Sequence, residues 1–148
     1  MKKGLAIFLI WSIILSWAGC AQSTHQDAHP WGITLEVEEV SPGGLTIVCH
    51  QSGGEKVFDL MTGSYYVVQK LEQSDWVDVP YLPQEYDVAW TSEAWLIPRE
   101  GTTRWSVNWK WLYGELPAGQ YRIGKPVSNF RGTGDYESDM VYARFVIN

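Results

Sequence analysis

From residue 33 onward this chain is built of short runs in which apolar and polar residues alternate, each closed by a cluster of Gly, Pro, Ser or Asp. No stretch between them repeats apolar residues at helical spacing. A strand turns successive side chains to opposite faces, so every such run must bury one face against another layer. Ile33-Thr34-Leu35-Glu36-Val37-Glu38 alternates strictly, and Leu45-Thr46-Ile47-Val48-Cys49 follows the turn Ser41-Pro42-Gly43-Gly44, which predicts a first hairpin. Residues 65–71 are β-branched and aromatic, and Gln73-Ser74-Asp75 turns them into Trp76-Val77-Asp78-Val79, stopped by Pro80. Residues 80–93 are irregular and predict the long connection that crosses between sheets. Strands are expected over 94–97 and 103–109, around the turn Pro98-Arg99-Glu100-Gly101, then a helical turn over Trp109-Lys110-Trp111-Leu112-Tyr113-Gly114. Leu116-Pro117-Ala118-Gly119 turns into a strand over 120–125, and the last strand is expected over 140–147. The fold class is all-β, a two-sheet antiparallel sandwich, and no repeat period competes with it.

The first twenty residues follow a different rule. Lys2 and Lys3 precede an apolar run from residue 5 to residue 17, and Ser16-Trp17-Ala18-Gly19-Cys20 places small residues before a cysteine. This resembles a bacterial lipoprotein signal, with Trp17 where that motif usually has Leu. The resemblance implies a signal peptide over 1–19, cleavage before Cys20, and a diacylglycerol on its thiol. The apolar run is too short for a spanning helix, which needs roughly 20 apolar residues. Two buried acyl chains, at about 0.8 kcal/mol per CH₂, hold a domain at a membrane where one chain binds only reversibly. The expected location is therefore the extracytoplasmic face of the cell membrane, lipid-anchored.

Residues 20–30 are polar and aperiodic and read as a flexible tether, which leaves 31–148 as one domain. The chain holds 11 Lys and Arg against 17 Asp and Glu, and no basic cluster follows Lys3. An acidic surface without a basic patch excludes nucleic acid as a partner. With Cys20 carrying lipid, Cys49 has no disulfide partner, and its alternation with Leu45 and Ile47 marks it as a small buried residue rather than a reactive thiol.

Gly119-Gln120-Tyr121 ties the sequence to a particular sandwich. In immunoglobulin-like sandwiches a tyrosine near the start of one strand hydrogen-bonds the backbone upstream and pins the corner between sheets, and Tyr121 is placed for that role. Around it runs Trp109, Tyr113-Gly114-Glu115-Leu116-Pro117, Gly119, Tyr121-Arg122-Ile123 and Lys125. Gly63, Tyr66 and Gln69-Lys70 precede Trp76 and Val79-Pro80 at matching intervals. Together these resemble the bacterial immunoglobulin-like domain found in lipoproteins and secreted proteins of clostridia and related Gram-positive bacteria. Val68-Gln69 stand where Leu-Glu is commoner in that family. The resemblance implies a β-sandwich accessory domain in which Trp76, Trp109, Tyr113, Gly114, Gly119, Tyr121, Arg122 and Lys125 form a structural motif. It carries over no catalytic residue and no cofactor.

The residues themselves point away from catalysis. There is no Gly-x-Ser-x-Gly elbow, no Ser-x-x-Lys, no paired Cys metal motif and no Gly-rich phosphate loop. His25 and His29 fall in the tether, so His50 is the lone histidine expected inside the domain, and it reads as a surface residue after its strand. Glu36, Glu38 and Glu39 read as the solvated face of the first strand. Asp135, Glu137 and Asp139 alternate in an expected loop over 132–139, but Met140 occupies the position where a calcium loop needs Gly, so no metal site is expected.

The aromatic load is the functional lead. Trp31, Trp76, Trp90, Trp95, Trp105, Trp109 and Trp111 follow the leader, more indoles than a sandwich core requires. Trp90, Trp95 and Trp111 lie where alternation does not bury them all, and exposed indoles bind sugar faces or partner proteins. Two functions follow: a non-catalytic interaction or structural module with a protein partner or none, or a carbohydrate-binding sandwich that recognises cell-wall or host glycan through those three residues.

Overall fold

The structure, a computed structural model, describes residues 29–148; the expected signal peptide, Cys20, and the tether up to residue 28 lie outside the described residues. Two antiparallel sheets face each other. The first takes β1 (Ile33–Ser41), β2 (Gly44–Gln51) and β7 (Gly101–Asn108) in the order β1-β2-β7. The second holds β3 (Asp59–Thr62), β4 (Val67–Glu72), β5 (Asp75–Asp78), β6 (Trp95–Leu96), β8 (Gly119–Gly132) and β9 (Asp135–Ile147). Among the described residues the single helical turn, α1 (Lys110–Tyr113), links β7 to the approach of β8.

Strand β8 is the spine of the second sheet. Along one edge it pairs with β9 from Gly119↔Ile147 to Gly132↔Asp135. Its other edge is shared: β4 takes it from Tyr121 to Gly124, and β3 from Ser128 to Phe130. Between those two stretches the chain runs through residues 63–66, which form no ladder, so one edge of β8 has a break midway.

The core fills the space between the sheets as alternation dictates. Ile33 and Leu35, then Leu45, Ile47 and Cys49, project from the first sheet; Leu60, Val68, Tyr121, Ile123, Val127, Val141, Ala143, Phe145 and Ile147 project from the second. Trp109 has no exposed surface, stacks on Phe145 at 5.6 Å between ring centroids, and donates its indole N–H to the Pro42 carbonyl at 2.8 Å. Tyr121 stacks on the other side of Phe145 at 5.5 Å, and its hydroxyl donates to the Pro117 carbonyl at 2.8 Å.

Five polar side chains of the described residues occupy buried positions; Thr46 donates to the Glu39 carboxylate, and the other four serve backbone that no ladder satisfies. Asn129 accepts from the Phe58 N–H at 2.8 Å and donates to the Lys56 carbonyl at 2.9 Å, fastening the approach to β3. Gln51 donates to the Trp31 and Gly53 carbonyls and accepts from the Glu100 N–H. Thr62 donates to the Pro126 carbonyl at 2.7 Å. Lys125 donates to the carbonyls of Gly63 and Tyr65, which are those exposed by the break along β8.

Several expectations need correction. The segment after β5 does not cross between sheets: β5 and β6 belong to the same sheet, and the chain changes sheet between β6 and β7, at Ile97 to Glu100. The strands flanking that turn are therefore not a hairpin. Residues 132–139 are not a loop, because β9 begins at Asp135 and the turn occupies only Thr133 and Gly134. Strand β3 was not foreseen. His50 lies inside β2 rather than after it, where its Nδ1 meets the Thr102 hydroxyl at 2.9 Å. His29 and Pro30, at the end of the expected tether, are joined to the domain: the Pro30 carbonyl accepts from the Glu55 N–H at 2.9 Å, and His29 packs edge-on against Trp31.

Candidate functional site

The motif residues are absorbed by structure. Tyr113 is buried and its hydroxyl accepts from the Val68 N–H at 3.2 Å, tying α1 to β4. Gly114 ends α1 at φ +76°, ψ −160°, a region that residues with a Cβ avoid. A Cβ on Gly119 would stand 3.2 Å from the Tyr121 ring. On the outer face of the second sheet the Arg122 guanidinium lies 4.8 Å from the Trp76 ring centroid and 4.0 Å from that of Tyr142, with Gln69 accepting from its Nε at 2.6 Å. Each contact of this kind contributes about 0.5–1 kcal/mol at a surface.

The acidic residues do not converge. Arg131 pairs with Asp135 at 2.8 Å and with Glu137 at 3.4 Å, while Asp139 meets His29 at 3.3 Å. Among the described residues no group of three or more His, Cys, Asp or Glu is placed to hold a metal. Cys49 is fully buried, and burial pushes its thiol up to about 11.

The indoles do converge. Trp90, from the irregular segment before β6, Trp95 of β6, Trp105 of β7 and Trp111 of α1 line one cleft with Tyr66 and Lys125. It opens along the side of the sandwich where β7 and β6 form the free edges of their sheets. Its volume is about 300 Å³, the lower end of the range for small-molecule sites. Trp95 and Trp105 lie 6.3 Å apart with their planes 25° from parallel. Trp90 meets Tyr66 edge-on at 5.1 Å, Tyr65 at 5.2 Å and Trp111 at 6.1 Å. Only Trp111 is widely exposed, at 51 %; Trp90, Trp95 and Trp105 are half-buried walls. The three indoles singled out from sequence thus share one site, but as the sides of a cleft and not as a flat platform.

Two buried residues with polar ends also line this cleft. The Lys125 ammonium, on a residue only 2 % exposed, lies 5.0 Å from the Trp95 ring centroid and 5.7 Å from that of Trp105. Its side chain occupies an inward position of β8 between Ile123 and Val127. Among the described residues it forms no salt bridge, the lysine pairs being those of Lys70 and Lys110. Desolvation lowers it from 10.5 to about 8. Tyr66 is 6 % exposed, its buried hydroxyl has no hydrogen-bond partner among the described residues, and burial with the nearby Tyr81 pushes it up to about 12.

Sequence reasoning placed Trp105, Tyr66 and Lys125 in the framework and not in the site. A signal for Lys125 was present: a cation at the inward phase of Tyr121-x-Ile123-x-Lys125-x-Val127. Tyr66 carried none, since its position depends on the unladdered stretch before β4.

A family model described as a bacterial Ig-like domain matches residues 29–145. No curated protein and no solved structure matches the chain.

Proposed function

The chain belongs to the bacterial Ig-like domain family, and from that premise we propose that it is a non-catalytic interaction module, held at the extracytoplasmic face of the cell membrane by a lipid on Cys20, with the indole cleft as its contact surface. The cleft carries the reading: four indoles from four separate segments share one concavity, whereas the buried indoles of the core are Trp31 and Trp109, with Trp90 and Trp105 packed against its edge. Aromatic walls of this kind supply contact area at low entropic cost. Apart from Lys125, the motif residues are engaged in corners, the helical turn and the outer sheet face.

Glycan is the second reading, and the near-parallel Trp95 and Trp105 favour it. Indole faces pack against the C–H face of a pyranose, and the cleft has room for about one ring. Tryptophan fluorescence of the full chain in detergent, titrated with peptidoglycan fragments and a polysaccharide panel, tests the choice. A saturable shift abolished by Trp111→Ala or Trp90→Ala is expected for a glycan ligand. A flat response throughout directs the search to protein partners recovered from membranes. The anchor is tested separately: Cys20→Ala should release the protein from the membrane fraction, and a variant that stays there at its original mass removes the lipid from the reading.

A further inference from the structure

Two buried donors on residues that line the cleft are incompletely satisfied among the described residues. An ammonium has three N–H bonds. The Gly63 and Tyr65 carbonyls take two of those on Lys125, and the third has no acceptor among the described residues. Tyr66 lines the same cleft, and its buried hydroxyl has no partner among the described residues. A buried polar group left without a partner is destabilising, more so when charged, so both groups gain from a ligand that supplies acceptors. Among the described residues the ammonium also has no counter-charge: Trp95 and Trp105 face it, and its two bonded oxygens are neutral.

We propose that the cleft takes a pyranose ring bearing a carboxylate, the ring lying against the indoles and the carboxylate oxygens accepting from Lys125 and Tyr66. The proposal rests on the glycan reading above. A carboxylate offers two oxygens, has no donor of its own to leave unsatisfied, and brings the missing negative charge. A neutral sugar supplies acceptors but no charge. The domain as a whole is acidic and does not attract anions over distance. Selection therefore falls to the one buried cation, whose field is little screened by salt. Both residues are buried, so the proposed contact requires the cleft wall to yield, and Trp90 is the wall that lies outside any strand or helix. That indole sits on an irregular segment held by few bonds to the rest of the fold, among them Leu82 N–H to the Leu112 carbonyl and the Ser64 hydroxyl to the Thr91 carbonyl.

The experiment compares sodium glucuronate with glucose by tryptophan fluorescence of the full chain in detergent. Glucuronate is expected to bind at least tenfold more tightly than glucose. Tyr66→Phe, which keeps the ring packed on Trp90, should weaken glucuronate about three- to tenfold and leave glucose unchanged. Lys125→Met should abolish the preference; if that variant does not fold, the wild-type ratio and Tyr66→Phe decide. Equal binding of the two sugars, lost in Trp111→Ala, overturns the carboxylate while leaving the cleft a sugar site. Absence of any response to either sugar or to the polysaccharide panel overturns both.

Discussion

Lys125 and Trp95 meet as ammonium against indole, 5.0 Å from nitrogen to ring centroid, at a point where the alternation of β8 directs a side chain between the sheets. The lysine replaces a missing rung: its donors satisfy the carbonyls of Gly63 and Tyr65 where β3 has ended and β4 has not begun.

This arrangement makes stability depend on pH in an unusual direction. The Lys125 amine falls from 10.5 in the unfolded chain to about 8 in the fold. As pH rises through 8 the folded state loses its proton first, the unfolded state then binds more protons, and stability increases toward pH 10.5. Cys49, raised from 9.0 to about 11, acts oppositely, because above pH 9 the unfolded chain ionises first. The clean window is therefore pH 8 to 9. Urea unfolding there should show stability rising by up to about 1.4 kcal/mol per pH unit, and Lys125→Met should flatten the slope. A slope of opposite sign in the wild type would remove the buried cation.

At the Tyr121 corner the bond to the Pro117 carbonyl can be separated from the ring. Tyr121→Phe is expected to cost about 1 kcal/mol, the worth of one satisfied hydrogen bond. Tyr121→Ala also empties the stack against Phe145 and should cost about 3–5 kcal/mol. An alanine variant that melts with the wild type would show that the corner pins nothing.

Trp109 and Trp111, two residues apart, should respond in opposite ways. Trp109→Ala opens a cavity at a position with no exposed surface and should cost about 3–5 kcal/mol. Trp111→Ala, at 51 % exposure, is expected to cost under about 1 kcal/mol while removing one wall of the cleft. Thermal melts of the two variants check the contrast.

Cys49 should be chemically silent. A thiol with no exposed surface, displaced upward to about 11, presents almost no thiolate at neutral pH. Ellman's reagent is expected to leave Cys49 untouched in the folded protein and to modify it fully in guanidinium. Prompt reaction without denaturant would mean that the first sheet opens locally around β2.

Much of the architecture was readable from the residues because burial and alternation coincide there. The first hairpin shows both a strict period of two and a Pro-Gly-Gly turn, and its inward residues Leu35, Leu45 and Ile47 are those the pattern selects. Strand β3 escaped because Asp59-Leu60-Met61-Thr62 is too short to establish a period, and its pairing is directed by Asn129 from a strand 71 residues later. The outer halves of β8 and β9 escaped for another reason: residues such as Arg131, Asp135 and Glu137 are solvated, so ladder hydrogen bonds alone make them strands and no apolar face announces them. The convergence of Trp90, Trp95 and Trp111 was beyond reach of spacing, since their segments are brought together by the change of sheet after β6. Their number relative to the needs of the core was the only signal.

The spine of the second sheet begins at Gly119, when four-fifths of the chain has already been made. Synthesis runs from the N-terminus, so β3, β4, β5 and β6 emerge without the strand that will organise three of them, directly or through β4. Until β8 arrives, only the β1–β2 and β4–β5 hairpins can close on local contacts, and the edges later covered by β8 stay open to pairing with other chains. A chaperone that shields extended segments would find its longest task here, in the interval between the emergence of β3 and the closing of the β8–β9 hairpin.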